Sequence, residues 1–377
     1  MTSHNSRIRV GVVFGGRSGE HDVSLRSAQT VMGALEAAGY AIVPIGITRE
    51  GAWLTDGDPM QSLQSASPLF ALGSGDEREE GDVLNAVNAL SMRANQSSAP
   101  AVIPAAGWAG ELDVIFPVLH GPMGEDGTVQ GLFELAGLPY VGAGVMSSAV
   151  SMDKSITKQL LAQAGIPQAP WLTVLRKEWQ RFPDAIQADI ERELGYPCFV
   201  KPANLGSSVG ISKVHDASEL DAAMREAGLH DRKIVIEKGI NARELEVSVL
   251  GNDEPTASVI GEIVPAGEFY DYEAKYVDDD SELLVPASIP DEVADEIRKV
   301  AIRAFRVLDC AGMARVDFLL DRDTHHIYLN EVNTIPGFTA ISMYPILWEA
   351  SGLPLPDLVS RLVELAVERH AERHGQD

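Results

Sequence analysis

ARVDFLLDRDTHHIYLNEVNTIPG, residues 314–337, reads as two strands joined by a short polar turn. Alternation with a period of two places Glu331 and Asn333 on one face of the second strand, and Arg315 with Asp317 on one face of the first. The other positions of both strands are largely apolar, and a carboxylate pair set among buried neighbours needs a cation. Two carboxylates and an amide are hard oxygen donors. They suit magnesium, which keeps several waters and takes one or two protein carboxylates together with substrate phosphate oxygens. Arg315 adds a fixed positive charge beside them. Without a cation, the same residues are the acidic end of a solvated strand.

Upstream, FVKPANLGSSVGISKV at 199–214 reads as a strand carrying Lys201, a small-residue loop from Gly206 to Gly210, and a returning strand. Glycine and serine let a backbone close over phosphates and donate to them, and a strand lysine supplies the point charge a phosphate needs. No GxxxxGK[ST] occurs, so this is not a P-loop. Alone, the Gly/Ser pattern reads as an ordinary hairpin, and it is Lys201 that turns the reading toward phosphate. At the amino end, a strand to Phe14, the loop GGRSGEHDVS, a helix from Ser24 to about Ala38 and the strand YAIVPIGI open an α/β unit. Ligands of such sheets lie beyond the carboxyl ends of the strands. LDVIFPVLH, the loop GPMGEDG, a helix to Ala136 and a short strand PYVGAG continue that unit.

A second unit starts near Val145 with a helix through Lys154 and Lys158 to Ala164, followed by the strands PCFVKP, GISKV and KIVIEKGI. A third starts near Arg243 with ELEVSVLG, the loop FYDYEAKY, a helix from Asp291 to Leu308, the hairpin above and a closing helix after Leu355. The predicted domains are 1–144, 145–242 and 243–377. Residues 55–110 form an insertion without discernible chemistry, in which VLNAVNALSM is a candidate helix.

The 377 residues suit two or three domains, and 45% hydrophobic with 23% charged residues is a globular composition. No apolar run reaches the ~20 residues of a membrane span, and MTSHNSRIRVGVVF reads as a first strand of a cytoplasmic protein rather than a leader. Cys198 and Cys310 lie in apolar segments without a CxxC partner and read as buried free thiols. A formal net charge of −25 argues against nucleic acid or an anionic membrane as partner. Any phosphate bound here must therefore meet locally placed cations.

FGGRSGEHDVS (14–24), HGPMGEDGTVQG (120–131), MDKSITK (152–158), FVKPANLGSSVGISKV, FYDYEAKY (269–276) and ARVDF with LNEVNTIPGFT occur in one order along the chain. In these six motifs the sequence resembles the ATP-grasp superfamily and, within it, the D-alanine:D-alanine ligases. The resemblance implies an α/β (α+β) ATP-grasp fold of three domains with a Rossmann-like amino-terminal domain. It further implies a cytoplasmic homodimer making a cell-wall dipeptide from D-alanine and ATP.

By motif position, the resemblance implies that Lys154 and Lys201 hold the ATP phosphates under a loop with Ser207 and Ser208. Glu237, Lys238, Ile240 and Glu244 would meet adenine and ribose. Taken alone, Glu237 and Glu244 read as surface charge. Asp317, Glu331 and Asn333 would bind two magnesium ions, for which manganese can substitute. Lys275 would steady the transferred phosphoryl group, and Arg315 with the backbone N–H of Gly337 the oxyanion. Glu20 and His120 would bind the first D-alanine, Ser207 and Tyr276 would close toward Glu20, and Ser342 would take the carboxylate of the second. Alone, Glu20 reads as decoration of a helix start and Ser342 as an ordinary helix-start serine.

The nearest competitor is a ligase joining D-alanine to D-lactate or D-serine, against which Tyr276 in EAKY speaks. A dehydrogenase fails on spacing, because FGGRSGEHDVS is not GxGxxG and no acidic residue ends YAIVPIGIT. A catalytically inactive nucleotide-binding regulator would have lost a metal ligand or a phosphate lysine, and none is missing.

Overall fold

The computed structural model describes residues 7–67, 108, 110–206, 209–264 and 282–375. Three sheets organise them. In the first, β1 (Arg9–Gly15) lies parallel to β2 (Ala41–Ile47) and β4 (Val114–Val118), with β3 (Trp53–Leu54) antiparallel at the edge, in the order β3-β2-β1-β4. β1 and β4 are buried along almost their whole length, as expected of parallel strands covered on both faces.

The second sheet, β5 (Trp171–Leu175), β6 (Cys198–Pro202), β7 (Ser212–Val214) and β8 (Lys233–Lys238), is antiparallel in the order β5-β8-β6-β7. Cys198, Val200, Ile234 and Ile236 turn into a core shared with the helix Ala217–His230. Alternation then leaves Phe199, Lys201 and Glu237 on the opposite face.

The third sheet is antiparallel in the order β11-β10-β9-β12-β13: β9 (Ala242–Gly251), β10 (Thr256–Val264), β11 (Glu282–Leu284), β12 (Gly312–Asp321) and β13 (Ile327–Asn333). Leu245, Val247, Val249, Ala314, Val316 and Phe318 pack on the helix Asp291–Val307. Glu244, Glu246, Arg315 and Asp317 therefore face the other way.

Several local expectations need correction. The first helix is His21–Ala37, beginning three residues before Ser24 because the chain turns directly out of the glycine loop at Glu20. The helix expected through Lys154 and Lys158 is two helices, Val145–Met152 and Lys154–Gln163, separated at Asp153. Asp153 is extended, and its carboxylate accepts from the N–H groups of Ser155 and Ile156. That is an N-cap restarting the helix. PYVGAG forms only a single bridge, Ile115 to Tyr140. VLNAVNALSM and FYDYEAKY lie outside the described residues. Both cysteines are buried free thiols.

The closing helix, Leu355–His374, does not cover its own sheet alone. Leu358, Leu362 and Leu365 share one core with Val10, Phe14, Leu25 and Phe116 of the amino-terminal unit and with Met313 and Phe338.

Candidate functional site

The three sheets meet around a cleft of about 710 Å³ lined by Glu20, His120, Lys154, Lys201, Glu237, Lys238, Ile240, Glu244, Arg315, Asp317, Glu331, Asn333, Gly337 and Ser342. Every predicted site residue among the described residues is in that lining. Ser207, Ser208, Lys275 and Tyr276 lie outside the described residues.

One wall is cationic. Glu237 is only 4% exposed, so it is not the surface charge its residue type suggests. Its Oε2 accepts from Lys201 Nζ at 2.9 Å, and Oε1 is 3.3 Å from Lys158 Nζ. Burial works against the Glu237 charge, but the two ammonium groups outweigh it and bring its pKa to about 2. Burial also opposes the Lys201 charge, yet Glu237, Glu331 and Glu244 raise its pKa. Lys158 and Lys154 are pushed down by burial, only partly offset by nearby carboxylates. Three lysines around one buried glutamate leave cationic capacity for a phosphate chain. Lys154 Nζ also donates to Leu205 O at 2.6 Å, while its N–H donates to Ala203 O at 2.9 Å. The root of the Gly206–Gly210 loop is thus fastened beside this lysine.

The opposite wall is the β12–β13 hairpin. Arg315 donates from Nε to Asp317 Oδ1 at 2.8 Å and from Nη2 to Oδ2 at 2.7 Å, and Nε lies 3.0 Å from Glu246 Oε2. Burial opposes the guanidinium charge, but Asp317 and Glu246 hold its pKa well above the usual value. Asn333 Nδ2 donates to Asp317 Oδ2 at 3.0 Å. Asp317 pairs with Glu331, but the next pair is Phe318 with Leu329, so Asn330 is an extra residue. This β-bulge re-aims the end of β13 carrying Glu331 and Asn333. Among the described residues no group of three His, Cys, Asp or Glu side chains could hold a metal. Two carboxylates and one amide oxygen at the cleft instead fit a hard divalent cation that takes its remaining ligands from water and substrate.

The third side of the cleft is built from the loops after β1 and β4. Glu20 is in the loop after β1, and a Cβ built on Gly121 or Gly206 would come within 3.0 or 3.2 Å of its Oε2. Its carboxylate therefore sits where the first loop, the 120–127 loop and the phosphate-type loop converge. His120 is buried, with Nδ1 3.1 Å from Ile335 O and Nε2 3.4 Å from Ser27 Oγ. A carbonyl can only accept, so Nδ1 carries the proton. Burial lowers the His120 pKa and favours this neutral form. The Ser27 hydroxyl also accepts from Phe338 N–H at 3.2 Å, tying the first helix to the loop after β13.

Ser342 stands at the N-cap of the helix Met343–Ala350 but makes no side-chain cap bond. Its Oγ instead accepts from Thr339 N–H at 2.9 Å and lies 2.8 Å from where a Gly337 Cβ would be. Gly337 admits that approach, and the hydroxyl is turned toward the cleft rather than its helix.

Lys158, Glu125 and Glu246 also line the cleft and were not singled out from sequence. Glu125 Oε1 accepts from Gly121 N–H at 3.0 Å, and burial followed by the Glu20 charge pushes its pKa up to about 8. For Glu246 a signal existed: in ELEVSVLG it lies two positions after Glu244, on the same strand face.

A cleft between two antiparallel sheets, cationic on one wall and carboxylate-bearing on the other, with an open α/β unit closing the third side, defines the ATP-grasp ligase class. Residues 9–143 match the family described as D-ala D-ala ligase N-terminus, and residues 160–364 that described as D-ala D-ala ligase C-terminus. The D-alanine–D-alanine ligase of Geobacillus kaustophilus is 50% identical over 97% of this chain and 96% of its own. That of Thermoanaerobacter pseudethanolicus is 52% identical over 97% and 98%. Among solved structures, the D-alanine–D-alanine ligase of Coxiella burnetii is 36% identical with a TM-score of 0.78, covering 98% of this chain and 97% of its own. The VanG D-Ala:D-Ser ligase of Enterococcus faecalis is 35% identical with a TM-score of 0.76, covering 96% and 100%. The chain belongs to the D-alanine–D-alanine ligase family.

Proposed function

We infer that this protein joins two D-alanine molecules into D-alanyl-D-alanine at the expense of ATP, for peptidoglycan synthesis. The observation that carries the reading is one cleft that brings the Glu20 carboxylate together with a lysine cluster and with Asp317, Glu331 and Asn333. Near 50% identity to D-alanine–D-alanine ligases over almost the whole chain supports the same substrate class.

In this reading the carboxylate of the first D-alanine attacks the γ-phosphate of ATP to give an acyl phosphate and expel ADP. The amine of the second then displaces phosphate through a tetrahedral intermediate. Lys154 and Lys201 hold the phosphates, with Glu237, Lys238, Ile240 and Glu244 toward adenine and ribose. Phosphoryl transfer depends mainly on positioning and on charge placed against the spreading negative charge. Glu20 holds the first ammonium, and neutral His120, fixed between Ile335 and Ser27, shapes that pocket. Arg315 and the Gly337 N–H face the oxyanion, and Ser342 Oγ receives the second carboxylate.

Asp317, Glu331 and Asn333 would hold two magnesium ions, with manganese as a substitute, which would supply positive charge against the phosphates. Ser207, Ser208, Lys275 and Tyr276 complete the set by motif position. Three domains, 1–144, 145–242 and 243–377, are supported by three sheets that follow these limits to within one residue, β9 beginning at Ala242. A cytoplasmic homodimer is supported by the family resemblance.

The test is phosphate release from ATP and magnesium with D-alanine alone, beside L-alanine and D-alanine plus D-lactate. Release with D-alanine alone, yielding the dipeptide, is expected. Ester formation with D-lactate and silence with D-alanine alone would move the protein to the lactate branch.

A further inference from the structure

The closing helix holds two backbone segments against each other. Arg369 stacks over the Tyr140 ring, with its guanidinium carbon 4.4 Å from the ring centroid. It donates from Nη1 to Gly142 O and from Nη2 to Tyr140 O at 3.1 Å. One turn earlier, Leu365 O accepts from Asn252 Nδ2 at 3.1 Å, and Asn252 Oδ1 accepts from Gly312 N–H at 3.2 Å. The helix thus holds Gly142 directly through Arg369 and, one turn earlier, reaches Gly312 through Asn252. Those two glycines touch: a Cβ on Gly312 would lie 3.0 Å from Gly142 N. Both have φ in the left-handed region, +94° and +71°, where glycine is favoured.

The contact sits where misplacement would be felt. Gly312 begins β12, three residues before Arg315. A Cβ on Gly142 would lie 3.7 Å from Thr334 O, at the start of the loop leading to Gly337. The amino-terminal unit, with Glu20 and His120, thus rests on the open end of the Arg315-bearing hairpin, where the chain enters and leaves it.

We propose that Arg369 is a positioning residue for the reaction, setting the spacing across the cleft between the Glu20–His120 end and the Arg315–Gly337 end. This rests on the ligase reading, in which the first D-alanine spans those two ends. Lys201 and Glu237 lie in the second sheet, which contributes no residue to this contact, so their spacing is expected to be unaffected.

The experiment is Arg369→Met in the full chain, which keeps an unbranched stem and removes both donors. KM for D-alanine should rise on the order of tenfold with a fall in kcat, while KM for ATP stays within about twofold. Arg369→Lys, with one charged donor, should fall between; it is the variant to read if the methionine form does not fold. Hydrogen exchange should quicken in residues 114–120 and 329–338 and stay unchanged in 198–238. A fall in kcat with both KM values unchanged, equal shifts in both KM values, or unchanged exchange would each overturn the proposal. If the wild type releases no phosphate with D-alanine, the ligase reading fails, and the exchange pattern still decides whether Arg369 sets the seating.

Discussion

Glu237→Gln replaces the buried carboxylate between Lys158 and Lys201 with an amide of the same shape. In the folded chain the Glu237 pKa lies at about 2 against an ordinary 4.5. At about 1.4 kcal/mol for each tenfold change, the charged form adds about 3 kcal/mol to folding at neutral pH. Removing one partner of a buried ion pair typically costs about 3–5 kcal/mol, which agrees. The sign follows from the direction of the shift. A depressed carboxylate stabilises the fold above its unfolded pKa, and the contribution is lost as pH falls through the folded value. Urea denaturation should therefore find the variant less stable by about 3 kcal/mol at pH 7, by nearly as much at pH 5 and by about half as much at pH 3. A loss under about 1 kcal/mol at pH 7, or one that does not change with pH, would refute the account of Lys158 and Lys201 balanced on one glutamate.

Two further outcomes are expected. Glu331→Gln should abolish ATP-dependent phosphate release with little change in thermal midpoint, because it removes a charge from the cation site; normal turnover would dismiss that site. Glu125→Gln should raise the thermal midpoint of the nucleotide-free protein at pH 9 and leave it nearly unchanged near pH 4. The pKa of Glu125 is raised from 4.5 to about 8, so its ionisation costs stability as pH climbs through that window, while a glutamine oxygen can still accept from Gly121 N–H. Equal midpoints at pH 9 would show that the carboxylate is not strained by burial and Glu20.

The hairpin was readable from alternation, because Asp317, Glu331 and Asn333 are polar on one face of strands otherwise built for a core. The bulge at Asn330 was not, since an extra residue leaves no mark on composition. Lys158 was passed over because a lysine on an amphipathic helix ordinarily faces water. Its burial arises only when the folded chain sets it beside Glu237 of β8. Ser342 illustrates the reverse: local statistics favour a cap, while the nearby glycine, by admitting the hydroxyl, decides its orientation. The break at Asp153 was in principle legible, as Asp followed by Lys-Ser-Ile is a capping pattern, but the continuous apolar spacing on both sides masked it.

The lysine-lined cleft belongs to a chain with a formal net charge of −25. A polyanionic nucleotide diffusing toward it meets repulsion from most of the surface before it reaches Lys154, Lys158 and Lys201. Mobile ions screen distant charges beyond about 10 Å at 0.1 M salt and leave contacts at hydrogen-bonding range largely intact. The encounter rate with ATP should therefore quicken as salt is added from a low starting level, opposite to the slowing seen where attraction guides an anion in.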